Sequence, residues 1–403
     1  MSTATQPPLQ KARRPVPRGI ARSGPPLLSY GFRPFFLGAG VFAVVAMAGW
    51  IAALAAGWDI GGDYGALNWH AHEMLFGYTS AALAGYMLTA IPNWTGRLPV
   101  SGPQLLGLVV LWLGGRVALL WPGPLGPVGA ALLDSVFLPT LATIAAIEII
   151  AGRNWKNLKI LAGLVGLSLA NAGFHVSVIL TGGAAEASRA GVAIYIMLIA
   201  VIGGRIVPSF TRNWLVKAGA DAVPVPFNRF DMVTLALLLP ALAVFVVLPT
   251  HPATALLALA ASALHAVRLM RWRGWLTLDE PLLLALHVAY GFVPIGLAAV
   301  AASAMGWIAQ ASALHVLTVG AIGGMTLAIM TRASLGHTGR PLTASPLTCL
   351  CYLCLLLSAV IRPFAELIGT QYHLLLSLAG AGWLLAFGLF VLEYGPMLLA
   401  SRR

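Results

Sequence analysis

Charge is what this chain has least of. Lys, Arg, Asp and Glu make up 9% of its 403 residues, against about 25% in soluble domains. Mean hydropathy is +0.87. A soluble domain of any size is excluded, and the composition is that of an all-α polytopic membrane protein. Cysteine is scarcer still. The three present, Cys349, Cys351 and Cys354, share one apolar run, so a disulfide framework is excluded as well. No phosphate-binding glycine loop, dinucleotide fingerprint or HExxH motif occurs, which argues against ATP-driven chemistry within the chain. Residues 1–34 are Pro-rich and basic. They lack the small-residue cleavage site of a secretory signal and are expected to form a cytoplasmic tail.

What is present is long and apolar. A membrane span needs about 20 mostly apolar residues. Twelve stretches qualify: 35–57, 70–92, 103–121, 127–151, 158–181, 189–209, 231–249, 252–269, 281–303, 308–331, 344–362 and 372–398. A bundle of twelve transmembrane helices follows, with the lipid bilayer as its first partner. The net charge of +12 does not point to nucleic acid, because the charges sort by topology. With the N-terminus inside, Lys and Arg fall in the tail, Arg97, the loops 151–159, 205–229, 268–273 and 332–340, and the C-terminus. Of 24, only Arg116, Arg189 and Arg362 fall outside. The positive-inside rule then places both termini in the cytoplasm.

The chain also repeats. Gly85, Gly204 and Gly324 are 119 and 120 residues apart, and Asn93-Trp94 recurs as Asn213-Trp214. Thr95-Gly96-Arg97 recurs as Thr338-Gly339-Arg340. A fixed period marks repeated units. The expected organisation is three four-helix modules, 35–157, 158–280 and 281–403, with the signature on spans 2, 6 and 10. That period disfavours a six-plus-six transporter.

Ionisable residues at membrane depth are costly and mark function. His70, His72 and Glu73 open span 2, His315 opens span 10, and Tyr195 stands near the matching place in the second module. His175, Arg116 and Asp134 lie at the same outer level. His265, His287 and His337 lie on the inner side. Neutral imidazole is the commonest metal ligand and a common haem ligand. The cofactor-binding candidates are therefore His70, His72, His315 and Arg116, and the metal candidates His72, His315 and His175. Glu73 is a candidate proton-transfer group or a partner that fixes a histidine tautomer. Blander readings stand beside these. The histidines can be helix-packing residues, Arg116 and Asp134 a structural ion pair, and Cys351 and Cys354 small apolar fillers. On a regular helix His70 and His72 point about 200° apart. His70 shares a face with Glu73, Gly77, Ala81 and Ala84, which favours it for close packing and leaves His72 in need of another partner; periodicity alone does not choose between them.

The motifs WHAHEMLFGY and AIPNWTGR resemble the NnrS family, as do WLGGR at 112–116, HVLTVGAIGGMTLAIMTRASLGHTGRPL at 315–342 and the opening YGFRPFF. They match in order over nearly the whole chain after the tail. The resemblance implies a bacterial inner-membrane protein of twelve spans, linked to nitric oxide metabolism and nitrosative-stress protection. It implies haem and copper as cofactors and nitric oxide, or a related small molecule, as ligand. It supplies no reaction and no named redox partner. Carried onto this sequence, it singles out His70, His72, Glu73, Arg116, His315, Arg332, His337 and Arg340. The alternative is a transporter of a small solute or metal that uses the same histidines, for which broken helices at the midplane would be the mark.

Overall fold

The computed structural model describes residues 24–402. Lys11 to Arg22 of the basic tail lie outside them. Twelve helical spans are present and, among the described residues, no strand. The first six are Phe32–Ala56, Gly62–Thr95, Pro103–Leu120, Gly123–Ala151, Trp155–Thr181 and Ala185–Lys217. The others are Arg229–Val247, Pro252–Met270, Pro281–Ala304, Gln310–Thr338, Pro346–Phe364 and Gly369–Leu399. The turn at Pro249–Pro252 does separate spans 7 and 8. Span 1 begins earlier than the apolar run alone suggests. Arg33 is a buried bundle residue rather than part of the tail. Its guanidinium donates to the carbonyls of Leu398 at 2.8 Å and Ala400 at 2.6 Å. Both termini of the bundle therefore share one end, the near end; the even-numbered spans start at the far end.

The repeated Thr-Gly-Arg has a plain physical meaning. Gly96 and Gly339 each follow the last turn of a helix with φ of 72° and 82°. This left-handed stop is strained for any residue with a Cβ.

Spans 3–4–5, 7–8–9 and 11–12–1 pack side by side as three arcs. Spans 2, 6 and 10, the three that carry the repeat signature, touch one another at the centre. Large side chains such as Leu113, Val117, Leu169, Leu239 and Leu392 point outward, as expected where lipid is the solvent.

The central trio is not regular α-helix. Each member contains a π-helical stretch: Glu73–Tyr78, Ile199–Gly203 and Val316–Gly323. A π turn breaks the i→i−4 ladder and leaves carbonyls to be satisfied by other groups; such turns are frequent at functional sites. Side chains supply the missing donors. Thr79 Oγ1 bonds Met74 O at 2.7 Å, Tyr195 Oη bonds Leu75 O at 3.0 Å, and Trp112 Nε1 bonds Gly77 O at 3.0 Å. In span 6, Arg268 Nη1 bonds Ala200 O at 2.8 Å. In span 10, Thr326 Oγ1 bonds Ile322 O at 2.8 Å. The released carbonyls are thus satisfied within the trio by Thr79, Tyr195 and Thr326 and from the arcs by Trp112 and Arg268.

Candidate functional site

The π turn of span 2 starts at Glu73, directly after the α-helical turn that carries both histidines. His72 is 1% exposed and Glu73 fully buried, whereas His70 is only half-buried. His72 is therefore the histidine that enters the bundle beside Glu73.

Four spans deliver the side chains around His72. Glu73 comes from span 2, Arg116 from span 3, Asp134 from span 4, and Asn171 and His175 from span 5. Small residues make the approach possible. A Cβ on Gly77 would stand 2.5 Å from Arg116 Nη1, and one on Gly115 would stand 2.7 Å from Asp134 Oδ1. This is the role of the second glycine in the WLGGR motif.

Arg116 clamps both carboxylates. Its Nη1 donates to Glu73 Oε2 at 2.6 Å and its Nη2 to Asp134 Oδ1. The other Asp134 oxygen is the focus of the site. His175 Nε2 lies 2.9 Å from Asp134 Oδ2, His72 Nε2 3.2 Å and Asn171 Nδ2 2.8 Å. Each imidazole is held by its other nitrogen as well. His72 Nδ1 is 3.0 Å from Glu73 Oε1, and His175 Nδ1 is 2.7 Å from the Tyr64 hydroxyl.

One feature of this network goes beyond ordinary hydrogen bonding. His72 Nε2 is also 2.8 Å from Asn171 Oδ1, while Asn171 gives its amide N–H to Asp134. Both ring nitrogens of His72 thus face oxygen acceptors. A neutral imidazole has one N–H and one lone pair. The lone pair is repelled by those oxygens unless a proton or a metal ion stands between. Charge counting agrees: two carboxylates against one guanidinium leave one negative charge over, in a place where unpaired charge is costly. The cluster is built for one additional positive charge.

The donor set suits a metal ion. His72, Asp134 and His175 each offer a ligand atom, and these atoms lie within 4.8 Å of one another. Ligands about 2.0–2.1 Å from a tetrahedral ion are roughly 3.3 Å apart, close to the spacings observed. The partners of the two Nδ1 atoms match the way ligating histidines are oriented by a carboxylate or hydroxyl.

The other singled-out residues lie elsewhere. His70 stacks on Trp50 with ring centroids 4.5 Å apart, and its buried Nδ1 has no partner among the described residues. It lies within electrostatic reach of His315 and Arg362. His315, half-buried, is held by Nδ1 to Ala311 O at 2.7 Å. The two form a second far-end locus, apart from the His72 triad. Arg332 lies over the Phe210 ring at 4.6 Å. His337 packs against Tyr30 and Phe32 at the near end, where Arg340 is an electrostatic neighbour of Arg33.

Sequence reasoning passed over a second buried cluster. In the near half, Arg268 Nε donates to Asp231 Oδ1 at 2.9 Å and Arg268 Nη1 to Tyr290 Oη at 3.0 Å. Tyr290 Oη lies 2.8 Å from His265 Nδ1. Arg268 is fully buried and not a loop charge. Tyr64 and Asn171, which complete the first cluster, were also unmarked, because an uncharged polar residue in an apolar run carries no signal of its own.

A family model described as NnrS protein matches residues 26–402, and the chain belongs to that family. No curated protein matches the chain.

Proposed function

We propose that this chain is a haem- and copper-binding protein of nitric oxide metabolism in the bacterial inner membrane. The observation that carries the metal reading is the triad of His72, Asp134 and His175, with His72 presenting ring nitrogens to oxygen acceptors on both sides. In this reading the triad holds copper, and Glu73 and Tyr64 orient the two imidazoles. A cuprous ion, with one positive charge, matches the one charge the cluster leaves over. Imidazole ligands suit copper.

The haem candidates are His70 on span 2 and His315 on span 10, which lie within electrostatic reach of each other. The donor chemistry fits. His315 gives its Nδ1–H to a backbone carbonyl, which directs Nε2 outward as a ligand, and His70 has a ring nitrogen without a partner. Arg362 is the nearby cation, and it is already paired with Glu366 at 2.8 Å. Haem iron would supply one-electron chemistry toward nitric oxide. The chain contributes ligands, a buried site and exclusion of water. Spans 2, 6 and 10 are distorted but unbroken, which speaks against the transporter reading.

The test is an optical spectrum with metal analysis of the purified chain and three variants. His175→Ala should lose copper and keep the Soret band. His70→Ala and His315→Ala should lose or shift the Soret band and keep copper. Unchanged copper in His175→Ala and an unchanged spectrum in the other two would refute the assignments.

A further inference from the structure

The axis of the central trio is not filled. A cavity of about 80 Å³ lies between spans 2, 6 and 10, with Ala82, Tyr195, Ile202, Gly203, Met325 and Met330 among its walls. Every wall residue comes from these three spans. Small residues make the space. A Cβ at Gly203 would sit in ordinary contact, 3.6 Å from a ring carbon of Tyr290 and 3.7 Å from the wall residue Met325, so a methyl fits there.

Four wall residues carry hydroxyls: Thr79, Tyr86, Tyr195 and Thr326. Those of Thr79, Tyr195 and Thr326 are spent on the carbonyls of Met74, Leu75 and Ile322, and Tyr86 lies within electrostatic reach of Arg205. A water needs two to four polar partners to be held in a cavity, and an apolar cavity stays dry. The size is equally selective. A 150 Å³ apolar cavity accepts xenon or benzene. About 80 Å³ admits a diatomic molecule or one xenon atom and is too small for a haem.

The opposite side of the span 10 π turn faces lipid. A wider apolar crevice of about 330 Å³ runs between spans 9, 10 and 11, with Val319, Gly320 and Gly324 in its floor. Val288 and Leu353 at its mouth are exposed on the bundle surface. The glycine-rich stretch Gly320–Met325 borders both spaces: Gly320 and Gly324 line the crevice, and Ile322 and Met325 line the axial cavity. Small apolar gases partition into the bilayer, so this is the side from which they arrive.

We propose that the axial cavity is a binding site for a small apolar gas molecule, filled from the bilayer across the π turn of span 10. That the gas is nitric oxide rests on the function proposed above; that the cavity holds a diatomic gas rests on its size and walls alone.

Xenon is the probe. Crystals of the full chain pressurised with xenon should show an anomalous peak on the axis between Ala82, Gly203 and Met325. Ala82→Leu should abolish it, and Gly203→Ala, a milder filling, should weaken it. A wild-type crystal without the peak, or a peak unchanged in both variants, overturns the proposal. A peak in a chain that binds no haem or copper would leave the cavity standing and refute the metal reading instead.

Discussion

Two buried arginines do the same mechanical work at opposite ends of the bundle. Arg116 seats its guanidinium against Gly77 in the π turn of span 2, and Arg268 donates to Ala200 O in the π turn of span 6. Each couples a distorted central helix to the arc behind it. The difference is in the charge around them. Arg116 faces two carboxylates, Glu73 and Asp134. Asp231 faces two guanidiniums, those of Arg268 and, at 3.5 Å, Arg271. The first cluster is short of one positive charge and has two imidazoles aimed at a carboxylate oxygen. The second has positive charge to spare and offers a phenol and one imidazole. The same clamp therefore leaves a set of residues that could hold a cation at one end and a positively charged junction at the other.

Neutralising each focal aspartate gives the largest test of that contrast. Removing one partner of a buried ion pair costs about 3–5 kcal/mol. Asp134→Asn and Asp231→Asn should both destabilise the bundle by that order, read as a lower unfolding temperature in detergent. Only Asp134→Asn should also reduce bound copper to background. Copper loss in both variants would mean that the second cluster is not merely structural.

Glu73→Gln sharpens the first site. The ligands stay, but the carboxylate that orients His72 is gone. Partners of this kind are worth 10- to 100-fold in metal affinity, so a titration with cuprous chelators should show weakening within that range. Unaltered affinity would remove Glu73 from the site.

Tyr290→Phe addresses the second. Arg268 donates into the Tyr290 oxygen, so the phenol's own proton goes to His265 Nδ1. Deleting the hydroxyl leaves both neighbours unsatisfied, at about 1–3 kcal/mol. A lowered melting temperature with unchanged copper is expected; a change in copper would contradict the division between the two ends.

The smallest effect belongs to the ion pair between Arg362, in the last turn of span 11, and Glu366, just beyond it. Burial raises the Glu366 carboxyl, but the hydrogen bonds and charge of Arg362 outweigh it and hold the group below its ordinary range. A depressed folded value means that the pair stabilises above about pH 4.3, the unperturbed glutamate value, and loses this as pH falls through the folded value. The melting difference between wild type and Glu366→Gln should be present at neutral pH and vanish in acid. A difference that persists in acid would show that the pair contributes through packing rather than charge.

Much of the first cluster was legible because its members are ionisable and share one depth. His72, Glu73, Arg116, Asp134 and His175 are charged or titratable groups in apolar runs. The pairing of Arg116 with Asp134 follows from that depth alone. The second cluster was hidden for the same reason in reverse. Asp231 and Arg268 sit near span ends, where charge is expected and where basic residues are assigned to loops. The π turns have no compositional mark, so periodicity alone did not choose between His70 and His72. Twelve spans and the stop signals at Gly96 and Gly339 needed only apolar length and glycine.

The most direct test of the central claim is copper X-ray absorption on the purified wild-type chain and on His175→Ala. A copper ion bound by two imidazole nitrogens and one oxygen, with one imidazole and most of the metal lost in the variant, is the predicted result. Copper with sulfur neighbours, or with an unchanged spectrum in His175→Ala, would contradict the claim and move the metal to another part of the bundle.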